Sequence, residues 1–90
     1  MLNVLPTLGK GAKDKPGQTF FVTRIQALAQ AIGVVAGLPA AASLKVDGVY
    51  GDTTVNAIKA VQDHFGFTGR DLDGITGPKT WGVLVTGGHA

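Results

Sequence analysis

Apolar residues recur at helical spacing in three separate stretches of the chain. Phe21, Ile25, Leu28 and Ile32 follow one another at four, three and four positions, one stripe of a helix. That helix is expected to begin at Gln18 or Thr19, with Thr19 as its N-cap. Gly33 is placed to stop it, unless it continues through Val34 and Val35. A second helix is predicted from Thr53 to Phe65, with Val55, Ile58, Val61 and Phe65 inward and Asn56, Lys59 and Asp63 outward. Gly66 closes it. A third runs from Pro78 to Leu84, burying Trp81 and Leu84, and Pro78 suits a first helical position because its missing N–H costs nothing there. No stretch makes a convincing strand. The pattern predicts an all-α fold of three helices.

The intervening segments read differently. Residues 1–17 mix Pro6, Gly9, Gly11, Pro16 and Gly17 with Leu2, Val4, Leu5 and Leu8. Such breakers leave no helical period, so an extended arm is expected, and its leucines imply that it packs onto the rest. Residues 37–45 read as a connection in which Pro39 bars a continuous helix. The expected division is an arm over 1–17, a helical domain over 18–84 and a tail over 85–90.

Composition narrows the class. Ninety residues make one domain. The absence of cysteine excludes a disulfide framework and a thiolate metal site. Eight Lys and Arg against six acidic residues, all Asp, give a net charge of +2 with no basic stripe, which argues against a nucleic-acid partner. The most apolar run, Ala27 to Ala42, is broken by Gln30, Gly33, Gly37 and Pro39 and is too short for a bilayer, so no membrane is expected. No apolar core follows a basic start, so no secretory signal is read at Met1.

Fourteen glycines are about twice the usual share, and a repeat places several of them. Val46-Asp47-Gly48-Val49-Tyr50-Gly51-Asp52-Thr53-Thr54 returns 26 residues later as Leu72-Asp73-Gly74-Ile75-Thr76-Gly77-Pro78-Lys79-Thr80. In each copy Asp-Gly makes a tight turn, the carboxylate accepting from backbone N–H groups and the glycine taking positive φ. The branched residue after it (Val49, Ile75) is expected to plug inward. The second glycine (Gly51, Gly77) brings the loop onto the helix start, where Thr54 or Thr80 can satisfy an orphan N–H. Asp47, Gly48, Gly51, Thr54, Asp73, Gly74, Gly77 and Thr80 are thus structural loop residues of two equivalent loop-to-helix joints.

These residues resemble the small three-helix peptidoglycan-binding domain of bacterial and phage cell-wall hydrolases. The resemblance rests on Arg24 to Leu28, the Val46-to-Thr54 loop, Ala57 to Gln62, Gly66-Phe67 and the run from Leu72 to Trp81, ending at Leu84. Pro6 to Gly11 resembles the family's lead-in. Lys13 to Phe20 and Gly37 to Leu44 are longer than its pattern, and Val61 stands where it has an aromatic. The resemblance implies a shallow groove for the glycan strand or stem peptide of peptidoglycan, with no cofactor.

The ligand-binding candidates are Tyr50, Gln62, Trp81, Lys59 and Arg70. For Tyr50 and Trp81, a flat aromatic face for the ligand stands against core packing with a bonded polar tip. For Gln62, as for Gln26, ligand contact stands against tying a loop backbone. Lys59, Arg70 and Lys79 flank the loops as partners for stem-peptide carboxylates or as ordinary surface cations. His64 and His89 lack metal-ligand spacing, so no metal is expected. No nucleophile has a base placed by sequence, so no enzyme is expected.

Two functions remain open at this stage. One is a non-catalytic wall-binding module, phage-encoded or part of a wall-targeting assembly. The other is a small phage virion protein, a capsid decoration or tail component that reuses the fold and contacts other virion proteins. The expected location is therefore the bacterial cell wall or the virion. A domain excised from a larger hydrolase is a third origin for the chain.

Overall fold

The computed structural model describes residues 5–16 and 19–88. Expectations that rest on Leu2, Val4, Gly17, a helix start at Gln18, or His89 lie outside these residues. Among these residues four helices follow in order: α1 (Phe21–Ala36), α2 (Pro39–Ala42), α3 (Asp52–His64) and α4 (Pro78–Thr86), with a 3-10 turn (Gly69–Asp71) before the last. Among the described residues β-structure is confined to two isolated bridges, Leu8 with Thr76 and Lys13 with Val49. The fold is all-α.

The first helix departs from its expected start, stop and buried face. Its N-cap residue is Phe20, which offers no side-chain cap, and Thr19 does not cap it. Asp14 does so from the arm: its carboxylate accepts from the N–H groups of Val22 and Thr23 at 2.9 and 2.8 Å and from the Thr23 hydroxyl at 2.6 Å. The helix runs past Gly33 to Ala36 and ends at Gly37, whose φ of 73° is left-handed. Gly33 has a different task. A Cβ there would lie 2.7 Å from the Ala41 carbonyl carbon and collide with the Ala42 amide, so glycine lets α2 lie directly on α1. The connection at 37–45 contains that four-residue helix, with Pro39 in its first turn.

The deepest face of α1 runs through Val22, Ile25, Gln26, Ala29 and Gly33. Phe21, Leu28 and Ile32 pack against the core's edge. The stripe is rotated because small residues admit α2 and because Gln26 is buried by its hydrogen bonds. Ile58, Val61, Trp81 and Leu84 join Ile25, Leu44 and Tyr50 in the same core, as the helical spacing predicts for α3 and α4. The last helix extends two residues beyond Leu84, and Gly87 closes it at φ 65°.

Candidate functional site

The two joints are built alike, each around a glutamine from the preceding helix. Gln26 on α1 donates through Nε2 to Asp47 Oδ1 (3.1 Å), the Val49 carbonyl (2.9 Å) and Thr54 Oγ1 (3.0 Å). Its Oε1 accepts from the Asp47 and Gly48 N–H groups. Gln62 on α3 repeats this with Asp73 Oδ1 (3.1 Å), the Ile75 carbonyl (3.1 Å) and Thr80 Oγ1 (3.0 Å), and accepts from the Gly74 N–H. Both amides are fully buried, and nothing but full pairing makes that burial tolerable.

The Asp-Gly turns form as the sequence reads. Asp47 Oδ1 accepts from Val49 N–H and Asp73 Oδ1 from Ile75 N–H, with Gly48 at φ 77° and Gly74 at φ 73°. Hydrogen bonds from the Val49 N–H and Gln26, with help from the nearby Lys45, hold the Asp47 carboxyl below its ordinary range.

Two details differ from expectation. Val49 and Ile75 point outward and are exposed. The following residues, Tyr50 and Thr76, are the plugs, because the turn's pleat alternates sides. Thr54 and Thr80 take their hydrogen bonds from the glutamine amides, and no side chain caps α3 or α4 at its Gly51 or Gly77 N-cap.

The arm then ties the joints together. Gly11 donates to the Tyr50 carbonyl, Tyr50 to Ala12 and Asp14 to Gly48, while Leu8 and Thr76 exchange both of their backbone hydrogen bonds. At the arm's other end the Trp81 indole N–H donates to the Pro6 carbonyl at 2.7 Å. Trp81 itself is buried, with the Phe21 ring edge-to-face at 6.1 Å. Tyr50 is fully buried, its hydroxyl donating to the Gly74 carbonyl at 2.7 Å and lying 3.0 Å from Thr76 Oγ1. Burial pushes its phenol pKa up.

The candidate residues therefore fall into two groups. Tyr50, Gln62 and Trp81 lie inside, with every polar tip bonded to the protein. Lys59 on α3 and Arg70 in the 3-10 turn lie on the surface. Between the 3-10 turn, the second joint and the start of α4 lies an open cleft of about 370 Å³. Phe67, Asp71, Asp73, Ile75 and Lys79 form its walls, and Thr7 of the arm reaches its rim. Lys79 Nζ stands 4.6 Å over the Phe67 ring centroid and 3.2 Å from Asp71 Oδ2.

Phe67 and Asp71 were not singled out by sequence. Phe67 stands in the quoted Gly-Phe pair, but the folding-back that puts it beneath Lys79 leaves no periodic signal. Asp14 gave even less, being one acid in a basic lead-in. Among the described residues there is no group of three His or acidic side chains able to hold a metal. Among the described residues no helix is long and apolar enough to cross a membrane.

A short helical domain in which paired glutamines anchor two Asp-Gly turns, each feeding a helix, is a defined class of architecture. Residues 22–84 match the family model described as "Putative peptidoglycan binding domain", and the chain belongs to that family. The crystal structure of the SleB N-terminal domain is similar at a TM-score of 0.68 and 27% identity, over 93% of this chain and 94% of that one. No curated protein matches the sequence.

Proposed function

We propose that the chain is a non-catalytic peptidoglycan-binding module that holds an attached or associated partner against the bacterial cell wall. The family match carries this reading, since the matched residues contain both glutamine-tied joints and, Thr7 apart, the lining of the cleft beside the second. Gln62 serves the site by bonding Asp73, Ile75 and Thr80 of its lining, Tyr50 by holding the Gly74 turn behind them and Trp81 by anchoring the arm, while Lys59 and Arg70 add positive charge nearby. A shallow, open surface suits a module whose effect is to raise local concentration: a weak site joined to a second activity multiplies productive encounters with the polymer.

Co-sedimentation with purified sacculi tests the reading. The chain is expected to pellet with the wall at micromolar concentration, and a Lys59→Ala/Arg70→Ala double variant to pellet less. It is expected to release no soluble fragments from the wall. A chain that stays in the supernatant contradicts the proposal. If it were instead found at stoichiometric copy number in purified phage particles, the virion role would replace it.

A further inference from the structure

We infer that the cleft beside the second joint grips a zwitterionic peptide unit, one carrying a free ammonium and a free carboxylate close together, in preference to the glycan. This rests on the peptidoglycan-binding reading and specifies which part of the polymer the module holds.

The two joints share a backbone plan but not a surface. At the 26-residue offset, Phe67, Asp71, Pro78 and Lys79 correspond to Ala41, Lys45, Asp52 and Thr53. The aromatic wall and the ammonium over it exist only in the second copy. At the first copy the charges are arranged differently: Lys45 stands where the second copy has Asp71, and Asp52 pairs with Lys10 of the arm, Nζ 2.8 Å from Oδ1. At the second copy Thr7 touches the rim of the cleft, and the charged groups on its walls are left to one another.

What those groups can accept follows from their charges. Lys79 is the cleft's ammonium, held between the Phe67 ring and the Asp71 carboxylate. Asp71 and Lys79 are 57% and 66% exposed at their side chains, so the pair is weakly held and readily exchanged. Asp73 contributes a second carboxylate, whose Oδ1 already accepts from Gln62 and Ile75. A ligand with one negative charge would take Lys79 and leave Asp71 without its partner. A ligand with one positive charge would do the reverse. A zwitterion exchanges both at once, its carboxylate on Lys79 and its ammonium on Asp71, so each charge in the cleft trades one partner for another of the same kind. A neutral sugar would meet only the closed pair.

The test is a calorimetric titration with four soluble probes. They are a muropeptide whose diamino acid has a free ammonium and carboxylate, the same compound N-acetylated, the same compound amidated at the carboxylate, and a peptide-free glycan strand. Tenfold or greater weakening is expected on either capping, with the glycan weaker still. Asp71→Asn should abolish the penalty for acetylation and Lys79→Met the penalty for amidation; both positions are exposed, and circular dichroism verifies the fold. Equal binding of capped and uncapped probes, or of the bare glycan, overturns the inference while leaving wall binding intact. If no probe binds and the chain also fails to pellet with sacculi, the peptidoglycan reading falls with it.

Discussion

Tyr50 and Thr76 occupy the same position in the two copies of the repeat, 26 residues apart, and they meet: the phenol oxygen lies 3.0 Å from the threonine hydroxyl in the centre of the molecule. The same phenol donates to the Gly74 carbonyl, so the first joint is hydrogen-bonded to the second through one side chain. Tyr50→Phe keeps the ring and removes the link. It should destabilise the fold by about 1–3 kcal/mol, the usual cost of leaving a buried acceptor unpaired. Urea unfolding should show a lower midpoint at unchanged slope.

Gln62 is bonded at both ends of its amide, and Gln62→Glu is a near-isosteric probe of that arrangement. At neutral pH the new carboxylate would face Asp73 Oδ1 and the Ile75 carbonyl, where the native side chain donates. A loss of at least about 2 kcal/mol is expected, because a buried charge is placed among acceptors. The deficit should shrink as the pH is lowered far enough to protonate the new carboxyl, which thermal melts between pH 4 and pH 7 would reveal. A loss that does not vary with pH would show that repulsion is not its cause.

Gly33 lies where α1 and α2 touch. Gly33→Ala would ordinarily favour a helix, by up to about 1 kcal/mol. Here the added methyl meets the backbone of Ala41 and Ala42, which can give way only if α2 moves as a whole. The net effect should be destabilising by about 1–3 kcal/mol. A more stable variant would mean that α2 has room to shift.

Asp14 couples the arm to α1. Burial acts to raise its carboxyl pKa, but hydrogen bonds from the Thr23 hydroxyl and from the Thr23 and Val22 N–H groups outweigh this and leave it below the ordinary value. The ionised form therefore stabilises the native state. That contribution is complete above the unfolded carboxyl pKa of about 3.9 and is lost as the pH falls through the lower folded value. Asp14→Ala should cost about 1 kcal/mol at neutral pH, in the range of a lost N-cap, and should flatten the acid limb of the stability curve. Hydrogen exchange should quicken at the Gly11 and Asp14 amides, which the arm's pairing protects.

The sequence made the joints unusually legible. Asp-Gly followed by glycine and threonine, twice at a fixed offset, is a local instruction. The Asp carboxylate and the glycine φ set the turn within three residues, and a glutamine from the preceding helix then locks it. Helices α3 and α4 were legible for the same reason, since Ile58, Val61, Trp81 and Leu84 carry a periodic signal and bury as it implies. The errors arose where one segment answers to a distant one. Gly33 looked like a stop because its contact with α2 is invisible in a helical pattern. Thr19 looked like a cap because Asp14 approaches from outside the helix. Val49 and Ile75 looked like plugs because they are apolar, yet the turn directs Tyr50 and Thr76 inward.

By itself, then, the sequence determined the helical class and the two repeated turns, which depend on residues within a few positions of one another, and the family, which shows in motifs following in order from Arg24 to Leu84. The tertiary structure alone decided which face of α1 is deepest, that Tyr50, Gln62 and Trp81 are buried with their polar tips bonded, and that Phe67, Asp71 and Lys79 share a cleft. The physical reason is burial. Whether a polar side chain can leave water depends on partners such as Asp47, Gly74 or Pro6, brought to it by the folding of the whole chain.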